Sequence, residues 1–262
     1  MDHRPIGIFD SGVGGISIWK ELRNKMPYED TIYLADSINA PYGEKSPEAI
    51  LELSIKNTEL LLQNHCKLIV VACNTATTNA IDYLRKNYTV PFIGIEPAIK
   101  PAALQSVSGK VGVLATRGTL TSALFHSTAK NHAANIEILE QVGTGLVELI
   151  EKGQAQSPEA RNLLQKYIQP MTAAGIDHLV LGCTHYPFLI PVLKDELPAH
   201  VKIIDCGEAV AKQTYRVLQQ HQLLNTDQRE PLYKFFSNTD AEMLSRFLKD
   251  EPGELQIEFL DF

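Results

Sequence analysis

The feature that most limits what this chain can fold into is a repeat of apolar strand-like runs, each closing on small or polar residues. Ile6–Phe9, Thr31–Ala35, Leu68–Ala72 and Val90–Ile95 fill the first hundred positions. Lys110–Ala115, Ile136–Leu139, His178–Gly182 and Val201–Asp205 restate them in the same order. Ile6 and Thr31 are 25 residues apart, as are Val111 and Ile136. The gaps from Cys73 to residue 90 and from Cys183 to residue 201 are 17 and 18. Chance can match one pair of segments, whereas four in register indicate two similar halves.

Between the runs lie helical stretches: about Ile16–Lys25, Pro47–His65 (Ile50, Leu53, Leu60 and Leu61 near helical spacing) and Thr77–Asn87. Strands alternating with helices predict α/β architecture with parallel, doubly wound sheets. After Asp205, a helix near Glu208–Gln220 and a strand at Lys234–Phe236 are expected to cross back to the first half. The expected domains are therefore 1–97 with 208–262, and 98–207. They form two similar doubly wound parallel-sheet domains related by pseudo-two-fold symmetry, with the site in the cleft where the carboxyl ends of both sheets meet.

At 262 residues, 44% hydrophobic and 21% charged, the chain has enough apolar mass for such cores. A net charge of -7 and no basic run argue against nucleic acid. No apolar run reaches membrane-spanning length and no targeting segment precedes the first strand, so a soluble cytoplasmic protein is expected. Four cysteines are too few for a disulfide framework. Cys66 and Cys206 read as small buried hydrophobes.

Cys73 and Cys183 differ, because polar residues follow each at once: Cys73-Asn74-Thr75 and Gly182-Cys183-Thr184-His185. Each sits where a strand hands over to a helix or turn, and backbone N–H groups there favour thiolate. Asn74, Thr75, Thr184 and those N–H groups suit a carboxylate ligand. Asp10 and Ser11 in the first half, and Thr116, Thr119 and His185 in the second, add polar side chains at the same rim. Two thiols on opposite walls suit proton abstraction from a carbon acid on one face and return on the other, inverting a stereocentre with no cofactor.

The motifs carry a resemblance. Phe9–Gly15 (FDSGVGG), Pro41-Tyr42-Gly43, Cys73-Asn74-Thr75-Ala76, Glu96–Pro101 (EPAIKP) and Gly182–Pro187 (GCTHYP) resemble the glutamate racemases of the aspartate/glutamate racemase superfamily. The likeness runs from about residue 5 to 210. It implies cofactor-independent interconversion of L- and D-glutamate, supplying D-glutamate for bacterial peptidoglycan, in a cytoplasmic homodimer that uses no metal. It further implies that Cys73 acts on D-glutamate, assisted by Asp10, and Cys183 on L-glutamate, assisted by His185, with Glu151 as a further acid of the site. Asp10, Ser11, Tyr42, Gly43, Asn74, Thr75, Thr116, Thr119, Thr184 and His185 would bind substrate. Ala35 and Phe125 stand where the family usually has glycine and tyrosine; the second change removes a hydrogen bond near the site. Relatives with long N-terminal extensions respond to a cell-wall precursor; with few residues ahead of the first strand, no such control is expected here.

Other readings use the same residues. Asp10 and Ser11 also suit capping of the following helix, and Tyr42 an ordinary turn. His185 also suits packing, and Glu151 a solvated helix face. Gly12–Ser17 with Asp36 approximates a dinucleotide fingerprint, but serine replaces the third glycine and Asp10 would oppose a pyrophosphate. Zinc on Cys73, Cys183 and His185 lacks the close Cys-x-x-Cys spacing of structural sites. A two-lobed amino-acid-binding protein shares the architecture without the need for paired thiols. Aspartate and hydantoin racemases share the two-cysteine logic.

Overall fold

The computed structural model describes residues 2–133 and 136–262. The chain divides into two compact units, one from Met1–Ile95 and Gly207–Phe262, the other from Glu96–Cys206.

The first unit starts β1 (Ile6–Asp10), α1 (Ile16–Lys25), β2 (Thr31–Ala35), α2 (Pro47–Gln63), β3 (Leu68–Val71), α3 (Asn74–Asn87) and β4 (Phe92–Gly94). The second contains α4 (Ile99–Gln105), β5 (Lys110–Ala115), α5 (Arg117–Leu120), α6 (Ala123–His132), β6 (Glu137–Val142), α7 (Leu146–Glu151), α8 (Pro158–Ala173), β7 (His178–Gly182), α9 (Ile190–Glu196) and β8 (Lys202–Ile204). The chain then returns to the first unit with α10 (Gly207–Gln220), β9 (Tyr233–Ser237), α11 (Glu242–Leu248) and β10 (Leu255–Phe259).

Each unit holds one all-parallel sheet, ordered β10-β9-β2-β1-β3-β4 in the first and β6-β5-β7-β8 in the second. The run β2-β1-β3-β4 thus has the strand order of the whole second sheet. β1, β2, β3 and β7 are buried along their full length, as expected for strands covered on both faces. Ser46 and Ser157 cap α2 and α8 by accepting the N–H groups of Ala49 and Ala160, each with proline at the first helical position. The returning β9 packs on α1: Trp19 meets Tyr233 and Phe235 edge-on, at centroid distances of 5.3 and 4.9 Å. Such aromatic pairs contribute roughly 0.5–1.5 kcal/mol each beyond area burial.

The register makes the repeat residue-specific. Ile6 pairs with Leu68 and Val111 with His178, while Ile69 pairs with Phe92 and Leu179 with Ile203. Cys73 and Cys183 therefore occupy equivalent positions, as do Ser11 and Thr116, Asn74 and Thr184, and Thr75 and His185. One alignment from the spacing fails. Ile6 pairs with Thr31, but Val111 pairs with Ile138, two residues beyond the expected 136. A slip of two preserves which face each side chain occupies, so burial does not penalise it.

Candidate active site

Each unit places one thiol at the carboxyl edge of its sheet. In the first unit α3 begins at Asn74, three residues before the expected start, so Cys73 itself is the N-cap. Its extended backbone lets Sγ accept the Ala76 N–H at 3.5 Å. The Cys73 thiol also reaches the Ser11 hydroxyl oxygen, at 3.8 Å. Asp10 is fully buried at the end of β1, and its Oδ2 accepts the Gly15 N–H at 2.8 Å. This loop needs glycine at 15, where a Cβ would lie 2.8 Å from Tyr33 Oη, 2.9 Å from Asp10 Cβ and 3.0 Å from Ala72 Cβ. Tyr33 closes the loop by donating to the Gly12 carbonyl at 2.7 Å.

Asn74 and Thr75 are buried in the first turn of α3. The Asn74 amide nitrogen donates to the Ile95 carbonyl at 3.5 Å, while its Oδ1 has no hydrogen-bond partner among the described residues. A buried acceptor left open is costly unless a ligand or solvent donor fills it.

Tyr42 and Gly43 lie in a buried 3-10 turn, Tyr42–Glu44. The Tyr42 hydroxyl donates to Asp36 Oδ2 and accepts from Asn57 Nδ2 at 3.2 Å. Burial, then the Asp36 carboxylate, then Cys73 push this phenol well above its ordinary pKa. With the hydroxyl committed, the backbone is what this turn can offer a ligand. Asp36 is itself 2% exposed and accepts from Asn39, Tyr42 and Asn238 within the protein, which speaks against it as the ribose-binding acid of the dinucleotide reading.

In the second unit Gly182 ends β7 against Ala115, where a Cβ would approach Ala115 Cβ to 2.7 Å. Cys183, Thr184 and His185 follow in a turn closed by the Tyr186 N–H bonding to the Cys183 carbonyl at 3.0 Å. His185 Nδ1 lies 3.8 Å from Cys183 Sγ, and Nε2 lies 2.5 Å from Glu151 Oε1 at the end of α7. Burial opposes charge on the imidazole, but the hydrogen bonds to Cys183 and Glu151, and their charges, outweigh it and hold the His185 pKa well above 6.5. As imidazolium, both ring nitrogens donate, one to the carboxylate and one toward the sulfur. Glu151 is thus paired with His185 rather than solvated, its side chain 18% exposed.

Thr116 caps α5, its Oγ1 accepting the Thr119 N–H at 3.3 Å and lying 3.0 Å from Thr119 Oγ1. Phe125 lies in the apolar core of this unit beside Leu120 and Val113. Cys66 and Cys206 are buried, and burial pushes both thiols up to about 12, where they stay protonated and unreactive. Among the described residues, no three or more His, Cys, Asp or Glu side chains are grouped to hold a metal ion. Nor is any helix among them long and apolar enough to cross a membrane.

The two thiols are supported differently. Ala115 occupies the place of Asp10, and His185 that of Thr75, so the first thiol has a buried carboxylate on the neighbouring strand and the second an imidazole–carboxylate pair. The sequence alone singled out these residues but not Asn57, which donates directly to the Tyr42 hydroxyl, or Asn238, which holds the Tyr42 turn through Asp36; neither carries a local motif.

Residues 17–214 match the Asp/Glu/hydantoin racemase family. The chain is 48% identical over 251 residues to a glutamate racemase from Ectopseudomonas mendocina, covering 95% of each. Among solved structures it resembles glutamate racemase isoform RacE1 from Bacillus anthracis (TM-score 0.90, 29% identity, 100% and 99% of the two chains). It also resembles the Francisella tularensis glutamate racemase in complex with D-glutamate (TM-score 0.84, 31% identity, 98% of each chain).

Proposed function

Since the chain belongs to the Asp/Glu/hydantoin racemase family and is an amino-acid racemase, we propose that it interconverts L- and D-glutamate by proton transfer between the α-carbon and the thiols of Cys73 and Cys183, without a cofactor. The observation that carries this reading is the equivalence of the two cysteines across the repeat, each at a sheet's carboxyl edge with its own polar support.

In this mechanism the substrate α-carbon is presented to both sulfurs. A thiolate takes the α-proton from one face; the opposite thiol donates its proton to the other face of the carbanion, and the two sulfurs exchange protonation states. Cys183 acts on L-glutamate and Cys73 on D-glutamate. The His185 imidazolium, held by Glu151, sets a positive charge beside the Cys183 sulfur when that sulfur is thiolate. Asp10 and Ser11 support Cys73. The Asn74 Oδ1 acceptor suits the substrate ammonium; the Tyr42 and Gly43 backbone, Thr75, Thr116, Thr119 and Thr184 suit its carboxylates. On the strength of the family resemblance we further propose that the D-glutamate feeds peptidoglycan synthesis and that the protein works in the cytoplasm as a homodimer.

The test is incubation of purified protein with L-glutamate in deuterated water, with no cofactor added. Loss of optical rotation together with deuterium at the α-carbon of the D-product is expected. Exchange with aspartate but not glutamate would keep the thiols and change the substrate; exchange with neither would overturn the reading.

A further inference from the structure

The turn bearing Tyr42 and Gly43 is tethered from a segment near the other end of the chain. Parallel pairing sets Ala35 beside Ser237, so the next residue on each strand, Asp36 and Asn238, emerges side by side at the carboxyl edge of the first sheet. The Asn238 amide nitrogen donates to Asp36 Oδ1 at 2.6 Å and to the Phe262 carbonyl at 3.2 Å. Its Oδ1 accepts the Ile38 N–H at 3.0 Å. Asp36 in turn accepts from Asn39 Nδ2 at 2.8 Å and from the Tyr42 hydroxyl. One buried amide thereby fixes the start of the 36–44 loop directly and its Tyr42 end through a single carboxylate.

Little else holds the loop on its outer side. Ile38 is 66% exposed. A cavity of about 500 Å3 lies between Asn39 of the loop, Lys45 and Ser46 just after it, and Glu52, Leu53 and Lys56 of α2. At its Tyr42 end the loop is buried and also held by Asn57 from α2, whereas its 36–39 start is set by hydrogen bonds that join at the Asn238–Asp36 contact.

We infer that Asn238 is a positioning residue for substrate binding, holding the 36–44 loop so that the Tyr42–Gly43 backbone is presented to glutamate. The inference rests on the proposed role of Tyr42 and Gly43 in binding. It is distinct from a general contribution to stability, since a tether acts on one loop and on ligand affinity, not on the whole sheet.

The experiment compares Asn238→Ala with the native enzyme by amide hydrogen exchange without ligand and by glutamate kinetics. Exchange over residues 37–44 should quicken at least tenfold while β1 and β3 keep their protection. KM should rise roughly tenfold with kcat nearly unchanged, the scale expected from leaving buried polar groups unpaired. Adding Tyr42→Phe should cost less than it does alone, because both act through Asp36. Asn238→Ser, which keeps an acceptor for Ile38, should fall between the two and serves if the alanine variant does not fold. Unchanged exchange over 37–44, or exchange raised uniformly across the unit, overturns the tether. Faster loop exchange with an unchanged KM leaves the tether and overturns the binding role of Tyr42 and Gly43, and with it the inference.

Discussion

Glu151→Gln isolates the support of the second thiol, because glutamine keeps the shape and an acceptor but removes the charge facing His185. The contact is shielded, with side chains 2% and 18% exposed, so solvent screens it little. A hydrogen bond to a charged partner contributes roughly 1.5–3 kcal/mol, and about half survives with a neutral acceptor. Losing the other half weakens the preference for imidazolium by about 1 kcal/mol, so His185 should titrate lower in the variant than in the native enzyme. The sign follows from the raised native pKa. The stability that His185 contributes is complete below its unfolded pKa near 6.5 and disappears as pH rises through the native value. The variant loses it at lower pH, and with it the positive charge 3.8 Å from the Cys183 sulfur. NMR titration of the His185 ring, alongside the pH dependence of α-proton exchange from each enantiomer, measures both effects. The alkaline limb should move down with the His185 midpoint, and exchange from L-glutamate should suffer more than from D-glutamate. An unmoved His185 titration would refute the pairing as the cause of the raised pKa. A moved titration with equal losses for both enantiomers would refute its assignment to one thiol.

Cys73→Ala and Cys183→Ala should each abolish racemisation with melting temperature and circular dichroism close to native; full activity in either would end the two-base scheme. Gly15→Ala forces a methyl against Tyr33, Asp10 and Ala72 and should cost about 1–3 kcal/mol in urea unfolding; an unshifted midpoint would mean the loop yields freely. Lys67→Met strands Glu29, which is 2% exposed and paired with Lys67 at 2.6 Å, and should cost about 3–5 kcal/mol near neutral pH. Burial already raises the Glu29 pKa despite Lys67, so the deficit should shrink as falling pH protonates the carboxyl. An equal deficit at pH 5 and pH 7 would argue against charge as its origin.

Much of the fold was legible because parallel strands covered on both faces must be written as continuous apolar runs, as at Ile6–Phe9 and Leu179–Leu181. Strands with a wet face were harder. β10 reads Leu-Gln-Ile-Glu-Phe, is only partly buried, and lies at the sheet's edge; neither it nor α11 stood out from the C-terminal stretch. β6 is partly exposed along its length, which let the spacing place it two residues away. The early start of α3 was hidden by Asn74 and Thr75, weak helix formers that the Cys73 cap and tertiary burial override. At the site, the thiols and their immediate neighbours announced themselves through residue type at strand ends. Glu151 was ambiguous beside Glu148 because only the fold brings it to His185, 34 positions away. Asn238 was invisible, since its partner Asp36 is 202 positions distant.

The first unit's two-part composition has a consequence for the order of synthesis. On a ribosome, residues 96–206 emerge as one uninterrupted stretch containing every strand of their sheet, and can fold while translation continues. The earlier-made β2 must wait: its outer neighbour β9 begins at Tyr233, and the flank of β9 is covered only by β10 at Leu255–Phe259. Until then β2 presents bare backbone donors and acceptors, the kind of margin that nascent chains join to one another. The N-terminal portion, made before the strand that borders it, is finished only after residue 233, so the outer edge of β2 stays unpaired while the intervening chain is synthesised.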